Sequence, residues 1–267
     1  MNCQKPTPMN ACILYLVDAG DVADFRKSLT HLRQSEALRP YPIIAYHEAG
    51  LPKSVMDELS AVYSVRFIEM AFKRPLYAPE VEASIPEVFS MSTSSFTMGY
   101  RHMCRFFSGE LFKRPELLGY RHALRLDSDS FLLEPVADFF RQLEAAGSVY
   151  GYRLISVDHP DCFVDFYRTF RQAVESMGRQ YILDPEVERR GFVYYSNFEV
   201  LDLDYFRSKL YLGVYDHLDQ SGGFYVHRWG DHILRFAFLT QFRAPVKQFL
   251  FNYGHADGIY PPEMWHQ

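Results

Sequence analysis

The stretch ALRLDSDSFL, residues 123–132, places two carboxylates one residue apart directly after a short apolar run. Aspartate disfavours the strand conformation, so the sequence predicts a strand over Ala123 to Leu126 that ends at the acids. Open α/β folds bind ligands beyond the carboxyl ends of their strands, and side chains two residues apart point to the same side. Asp127 and Asp129 are therefore either solvated turn residues or ligands of a metal ion.

The N-terminal third predicts the sheet to which this strand belongs. Three apolar runs, Cys12–Val17, Pro42–Tyr46 and Val65–Met70, predict strands, and the segments between them have apolar residues at helical spacing. Asp21 is expected to cap the first helix, and Pro52 to open the second. A β-α-β-α-β order predicts a parallel sheet flanked by helices.

The remainder of the chain is less regular. Residues 73–97 contain three prolines and a Ser/Thr cluster, which predicts a long loop, and loops of this length are often functional. No repeat or linker divides the sequence. It predicts one α/β domain over 1–267, with a Rossmann-like front half (1–98) and a less regular second half (99–267). Helices are expected over Tyr100–Phe112, Val136–Ala146, Cys162–Met177, Tyr205–Leu218 and Trp229–Thr240, and strands over Val149–Tyr152, Val193–Leu201 and Val246–Phe251.

Composition excludes several classes of protein. The chain has 267 residues and is 48% hydrophobic, which is ample for a large packed core. A net charge of -5, with the Lys and Arg residues scattered, argues against a nucleic-acid partner. The cysteines form no CxxC pair, which argues against a zinc ribbon and against a disulfide-dense secreted scaffold. They are Cys3, Cys12, Cys104 and Cys162.

The beginning of the sequence resembles a signal peptide only superficially. Its apolar run covers Ala11–Val17, ends at Asp18, and has no small-residue cleavage site after it. No segment approaches the roughly 18 apolar residues that a membrane span needs. We therefore expect a cytoplasmic protein without a membrane segment, although an anchor or signal outside this chain would place it in the lumen of the secretory pathway.

The DxD pattern is weak evidence by itself. About one such pattern is expected by chance in a chain of this length. A second copy, Asp202 and Asp204 in VLDLDYF, is explained by Asp204 acting as the N-cap of the helix that follows. The pattern at Asp127 and Asp129 thus leaves both the turn and the metal interpretation open.

Three further segments carry a resemblance to a known family. They are YRHMCRFFSGELF (100–112), YYSNFEV (194–200) and GGFYVHRWGDH (222–232). With the DxD stretch they resemble the fungal α-1,2-mannosyltransferases of glycosyltransferase family 15. That family carries YRHMCRF-S-G, W-R-V-E-P, SNFE and GGFF-ERWGD blocks in this order. The resemblance runs from about Tyr100 to the C-terminus and includes HMC and RWGD residues that core packing would not select.

The resemblance implies a fold and a reaction. The fold is GT-A, a Rossmann-like α/β architecture with a mixed, mainly parallel central sheet. The resemblance implies that 1–98 is its nucleotide-binding half and that 99–267 carries the metal, donor-sugar and acceptor sites. The reaction is the transfer of mannose from GDP-mannose to a glycan or other hydroxyl acceptor, with retention at the anomeric carbon. The implied cofactor is Mn²⁺, or Mg²⁺ in its place.

The resemblance also implies catalytic and metal-binding residues. Asp127 falls on the family's metal-binding Glu. Ser128 and Asp129 depart from the family pattern, and Asp129 is expected as a direct or water-mediated ligand, as in ordinary DxD transferases. His255, in FNYGHADG, is the best match to a His that completes the metal site. Glu199, in SNFE, falls on the carboxylate proposed as nucleophile or transition-state stabiliser. Asp231 falls on a second essential acid of the family, and Tyr100 matches a Tyr that lines the reacting centre.

The donor site is expected to involve the same blocks. Arg105 is a candidate for contact with the donor diphosphate, because a planar guanidinium suits phosphate oxygens. A few aromatic rings such as Tyr195 and Trp229 are candidates for stacking on sugar faces. The full set of expected donor-binding residues is Arg101, Arg105, Ser196, Asn197 and Trp229.

The sequence departs from the family pattern in ways that leave alternatives open. Asp127 is one methylene shorter than the family's Glu, Tyr194 and Tyr195 replace its His and aromatic residue, and His232 replaces its Ala. A transferase that uses a different sugar nucleotide, or an inactive sugar-nucleotide or carbohydrate-binding protein, would carry the same motifs. A metal-dependent phosphohydrolase using Asp127 and Asp129 lacks the extra ligands that two-metal chemistry requires.

Overall fold

The structure, a computed structural model, describes residues 9–91, 94–256 and 258–263. Cys3 lies outside this part of the chain. The strands, in chain order, are β1 (Ala11–Val17), β2 (Ile43–His47), β3 (Val65–Glu69), β4 (Phe89–Ser90), β5 (Ser95–Phe96), β6 (His122–Leu126), β7 (Ser130–Leu132), β8 (Tyr150–Tyr152), β9 (Ile155–Val157), β10 (Phe192–Tyr194), β11 (Phe198–Asp202), β12 (Val246–Gln248), β13 (Tyr253–His255) and β14 (Gly258–Tyr260).

The helices alternate with these strands through most of the chain. No described helix has both the length and the apolar character needed to cross a bilayer. Short 3₁₀ helices cover Ala19–Asp21, Glu110–Lys113, Pro115–Leu117 and Pro160–Phe163. The α-helices are α1 (Val22–Gln34), α2 (Lys53–Tyr63), α3 (Pro79–Ser84), α4 (Met98–Ser108), α5 (Phe139–Ala145), α6 (Phe166–Ser176), α7 (Pro185–Arg190), α8 (Leu203–Phe206), α9 (Lys209–Gln220), α10 (Gly223–Val226) and α11 (Asp231–Gln241).

Seven strands form the central sheet, in the order β12-β8-β11-β6-β1-β2-β3. β1 pairs in parallel with β2 and β6, and β2 pairs in parallel with β3, which confirms the predicted β-α-β-α-β unit. β11 is antiparallel to both of its neighbours, β6 and β8, while β12 is parallel to β8. Six of these seven strands therefore share one direction, and their carboxyl ends meet at one edge of the sheet.

Both faces of this sheet are buried. Alternate residues of β1 belong to two separate cores, with Cys12 and Leu14 on one face and Ile13 and Tyr15 on the other. The second face packs against α1 and α5, and the first against α4, α9 and α11. A sheet covered on both faces explains why its strands are nearly continuous apolar runs.

Several predicted elements are divided by turns. The apolar run Val193–Leu201 is not one strand. Residues 195–197 form a turn that separates β10, which pairs with β9, from β11, which belongs to the central sheet. The predicted helix over Cys162–Met177 is interrupted at Asp165, whose φ of 58° is left-handed. The predicted Tyr205–Leu218 helix is likewise split into α8 and α9, and residues 73–97 contain α3 and the β4–β5 hairpin.

Two predicted helix caps are wrong in detail. Asp21 precedes α1 but makes no capping hydrogen bond, whereas Asp18 accepts one from the Gly20 amide. Asp202, and not Asp204, caps α8, because its Oδ1 accepts from the backbone amides of Asp204 and Tyr205 at 3.0 and 3.4 Å. The second DxD is thus a helix cap, as the simpler interpretation held, although the other aspartate performs the capping.

Candidate active site

The turn after β6 brings two aspartates and a histidine together. β6 ends at Leu126, and β7 begins at Ser130. β13 pairs with β7 so that His255 lies opposite Ser130, which places it beside Asp129. The His255 Nε2 atom is 3.2 Å from Asp129 Oδ1. One ligand atom from each of Asp127, Asp129 and His255 lies within 4.8 Å of the other two.

This cluster has the chemistry of a divalent-metal site. Two carboxylates and an imidazole suit Mn²⁺, and within the described residues no other group of three such side chains is found. The side chains of Asp127, Asp129 and His255 are each partly exposed, at 30%, 32% and 21%. The His255 Nδ1 atom lies 2.9 Å from the Tyr195 hydroxyl, which fixes the orientation of the ring.

The surroundings of the cluster shift the pKa values of its two carboxylates in opposite directions. The hydrogen bond from His255 holds the pKa of Asp129 below its ordinary value. Burial raises the pKa of Asp127, and the positive charge of Arg125 opposes this effect only in part. A bound cation would favour the ionised form of both groups.

Arg125 joins three carboxylates beneath this cluster. Its Nη2 lies 3.0 Å from Asp127 Oδ1, and its Nη1 lies 2.6 Å from Asp231 Oδ2 and 3.0 Å from Glu199 Oε2. The guanidinium also lies 3.5 Å from the centre of the Phe107 ring. Strand register causes this arrangement, because Arg125 of β6 pairs directly with Glu199 of β11 and precedes Asp127 by two residues.

Glu199 is completely enclosed by donors. Its exposed fraction is 0%, and it is absent from the lining of the adjacent cavity. Its Oε1 accepts hydrogen bonds from the Tyr150 hydroxyl at 2.9 Å and from Arg235 Nε at 3.1 Å. Its Oε2 accepts from Arg125. This placement does not fit the expectation that Glu199 touches the donor sugar.

Asp231 is the buried carboxylate that does reach the cavity. It is the first residue of α11, where the helix dipole favours negative charge, and it is only 2% exposed. Burial raises its pKa, but the charges of Arg125, His232 and Arg235 outweigh burial, so the pKa of Asp231 lies below its ordinary value. Asp231 is therefore ionised at neutral pH.

Four further polar side chains, those of Tyr100, Asp158, Arg228 and His232, line the same cavity. Arg228, whose φ is 57°, donates from Nη1 to Asp158 Oδ2 at 2.8 Å and from Nη2 to the Tyr100 hydroxyl at 2.8 Å. His232 Nε2 lies 2.7 Å from the same Asp158 oxygen. The RWGDH segment therefore supplies Arg228 and His232 to the cavity lining, in addition to Asp231.

The cavity has a volume of about 820 Å³, which is within the range of small-molecule sites. It opens along the edge where the parallel strands end, since Asp18, Glu48 and Asp127 follow β1, β2 and β6. The expected site residues that line it are Tyr100, Asp127, Asp129, Ser196, Asn197, Asp231 and His255.

Comparison with known proteins identifies the family. The model of the glycolipid 2-alpha-mannosyltransferase family matches residues 2–255. The chain belongs to this family. Its curated relatives include O-glycoside alpha-1,2-mannosyltransferase homolog 2 of Schizosaccharomyces pombe, which is 32% identical over 176 residues, covering 61% of this chain and 47% of that protein. The chain spans less than half the length of the curated relatives it matches.

Solved structures confirm the GT-A fold. Core-mannan synthase A of Aspergillus fumigatus, in its Mn/GDP form, has a TM-score of 0.83 and 22% identity, covering 98% of this chain and 78% of that one. The mannosyltransferase Ktr4p of S. cerevisiae in complex with GDP has a TM-score of 0.77 and 21% identity, covering 93% and 71%. The mixed, mainly parallel sheet is thus the one expected of a GT-A member of the family.

Two residues expected to bind the donor in this family member lie in the core instead. Arg101 is fully buried and donates to the backbone carbonyls of Pro86, Glu87 and Tyr225. Trp229 is 1% exposed, and its Nε1 donates to a backbone carbonyl at 2.9 Å. Neither lines the cavity, which corrects the expectation of donor contact. Through these hydrogen bonds to backbone carbonyls, Arg101 and Trp229 hold neighbouring segments of the chain in place.

Arg105 is also turned away from the cavity. Its Nε lies 2.6 Å from Asp219 Oδ1, and its Nη2 lies 2.7 Å from Asp219 Oδ2, which makes a bidentate pair. Glu110 lies 3.4 Å from the same guanidinium. The expected contact of Arg105 with the diphosphate is corrected by this placement, because the planar fork is already filled by a carboxylate.

The variant Arg105→Lys is therefore expected to affect stability rather than donor binding. Lysine keeps the charge but loses the bidentate geometry, which should lower the free energy of unfolding by about 1–2 kcal/mol. Urea denaturation measures this loss, and isothermal titration with GDP-mannose and Mn²⁺ should give the wild-type affinity. A marked loss of donor affinity in a folded variant would restore Arg105 to the binding site.

Sequence reasoning missed part of the site. Arg125 gave a usable signal, because a charged residue inside an apolar strand, two residues before Asp127, must point to the same side. Arg228 lay inside a recognised motif but was given no role. Asp158 had no signal, since its partners Arg228 and His232 are about 70 residues distant in the chain.

Proposed function

We propose that this chain is a divalent-metal-dependent, retaining α-1,2-mannosyltransferase that uses GDP-mannose. The observation that carries the proposal is the gathering of Asp127, Asp129 and His255 at the edge of a nucleotide-sized cavity in a member of this family. Mn and GDP accompany one of the similar structures, and GDP another. A GDP-sugar donor and a glycan or other hydroxyl acceptor are consistent with a cavity lined by acidic, basic and hydroxyl side chains.

The three ligands fit the proposed cation. Oxygen and imidazole donors suit Mn²⁺, with Mg²⁺ as the alternative, and each side chain is open toward the cavity. A divalent cation held there would neutralise charge on the diphosphate as it leaves the sugar. Tyr195 orients His255, and Arg125 holds Asp127. Contacts from outside the cluster thus restrain two of the three ligands.

The remaining polar residues are proposed to bind and orient the two sugars. Asp231 offers an ionised carboxylate inside the cavity, which would offset positive charge that develops at the anomeric carbon. Asp158, Arg228 and Tyr100 would offer charged and hydroxyl groups to the hydroxyls of the sugars. Retention then requires departure of the diphosphate and attack by the acceptor on one face of the sugar.

A thermal-shift series tests this function. GDP-mannose with Mn²⁺ should stabilise the chain by about 2.7 kcal/mol at a hundredfold excess over Kd, which is roughly 5–10 °C in Tm for a chain of this size. The shift should vanish with a chelator and should be smaller with UDP-glucose. NMR of the mannosylated product should show the α anomer.

Two results would contradict parts of the proposal. An equal shift with and without the chelator would exclude a metal-dependent site. A metal-dependent shift without hydrolysis or transfer, across a panel of mannoside acceptors, would indicate a sugar-nucleotide-binding protein that lacks activity.

A further inference from the structure

The carboxylate of Glu199 has no surface that a sugar can approach. It lies on β11 with its side chain inserted between Arg125 and Arg235, and its two oxygens receive three hydrogen bonds from them and from Tyr150. The residue has 0% exposure, and Arg125 and Asp231 line the cavity where Glu199 does not. Any effect of Glu199 on the reaction must therefore pass through a neighbour.

We propose that Glu199 is a positioning residue that acts through Arg125 and keeps Asp127 available to a metal ion. The inference rests on the proposed function, and it replaces direct contact of Glu199 with the donor. Glu199 and Asp231 share the Nη1 atom of Arg125, while Asp127 takes Nη2. The pair of Glu199 and Arg125 is fixed by the register of β6 and β11.

The balance of buried charge gives the reason. Arg125 and Arg235 are both fully buried, and two buried carboxylates, Glu199 and Asp231, compensate them. Asp127 is the third carboxylate partner of Arg125, and of the three it is the one that is also a candidate metal ligand. If the charge of Glu199 is removed, Arg125 keeps a stronger hold on Asp127, and a cation must compete with it for the same oxygen.

A nucleophilic role would require this network to break. An ester between a Glu199 oxygen and the anomeric carbon would form as the bond from that carbon to the diphosphate breaks. The ester oxygen would lose its charge and its contact with Arg125 or Arg235, which would leave a buried guanidinium without compensation. The closed geometry therefore favours Asp231 as the carboxylate that faces the sugar.

Mn²⁺ binding tests this inference without requiring turnover. We expect Glu199→Gln to raise the Kd for Mn²⁺ by about tenfold, because one charge of a mutually compensating set is removed. Glu199→Asp keeps the charge and should remain within about threefold of wild type. The EPR signal of free Mn²⁺ measures both. A folded Glu199→Gln variant with wild-type Mn²⁺ affinity overturns the inference.

Asp219→Asn provides the matched control. It also removes a carboxylate from a largely buried arginine, Arg105, but this pair does not line the cavity. It should lower Tm as Glu199→Gln does and leave the Mn²⁺ affinity unchanged. If Asp219→Asn weakens Mn²⁺ binding as much as Glu199→Gln, general loosening of the fold explains both results and the inference fails.

If Glu199→Gln does not fold, a second measurement still tests the inference. Wild-type protein incubated with Mn²⁺ and GDP-2-deoxy-2-fluoromannose should give no glycosyl adduct on Glu199 by mass spectrometry, and Glu199→Asp should keep turnover within about tenfold. An adduct on Glu199 overturns the inference. Absence of GDP-mannose turnover in the wild-type protein would instead contradict the proposed function. The Mn²⁺ measurements would still decide the role of Glu199.

Discussion

Asp127→Ala is expected to abolish Mn²⁺-dependent binding of GDP-mannose and to lower turnover by about a thousandfold, since loss of a metal ion removes several kcal/mol of charge stabilisation. Asp127 is the ligand that joins the metal cluster to the buried network, because it contacts both the cavity and Arg125. Without it, Asp129 and His255 remain as a pair on one side of the site. Isothermal titration with Mn²⁺ and GDP-mannose measures the loss.

The second DxD supplies the control for this variant. Asp202→Ala removes the cap of α8 and should cost about 1 kcal/mol of stability without changing donor affinity. Circular dichroism should show that both variants retain the wild-type fold. Equal donor affinity in Asp127→Ala and wild type would exclude Asp127 as a metal ligand.

At saturating Mn²⁺, Asp231→Asn is expected to lower kcat by about a hundredfold to a thousandfold. Because it also removes a carboxylate partner of Arg125, it should raise the Kd for Mn²⁺ by about tenfold, as Glu199→Gln does. The amide keeps the shape of the side chain but removes the charge that would oppose the developing cation, and the loss of one such electrostatic group has this magnitude. Because the interaction is made mainly in the transition state, kcat and kcat/KM should fall together. Steady-state kinetics with GDP-mannose and a mannoside acceptor measure both constants.

Asp231→Asn also removes a partner of Arg125, so its effect on folding must be separated from its effect on chemistry. Arg125 keeps Glu199 and Asp127 in this variant. Asp219→Asn again serves as the control, with a similar loss of Tm and wild-type kcat expected. An Asp231→Asn variant that is folded and retains wild-type kcat would exclude Asp231 from the reaction.

Local patterns predicted the front half of the fold well. The strands β1, β2 and β3 are continuous apolar runs separated by helical periodicity, and such runs have one stable arrangement in a sheet covered on both faces. The second half was predicted less well. Residues 195–197 are flanked by apolar residues on both sides, and only pairing with different partners makes β10 and β11 separate strands.

The candidate site shows the same division between local and tertiary information. Alternation along β6 places Arg125 and Asp127 on one side. The DxD pattern pointed to Asp129, and the family motifs pointed to His255 and Asp231. The same motifs placed Arg101, Arg105 and Trp229 at the donor. In the structure their polar atoms are taken by backbone carbonyls or by Asp219. A motif gives the identity of a residue but not the direction of its side chain.

Local sequence patterns were enough to predict the parallel front sheet, the acidic turn at its carboxyl edge and the family to which the motifs belong. Which acids face the cavity could be read only from the folded arrangement of the chain. Glu199 and Asp231 look equivalent in sequence, as single acids within specific motifs. Pairing of β11 with β6 inserts Glu199 between two arginines, whereas the start of α11 leaves Asp231 at the cavity wall. The physical reason is that accessibility and charge compensation depend on contacts between residues distant in the chain.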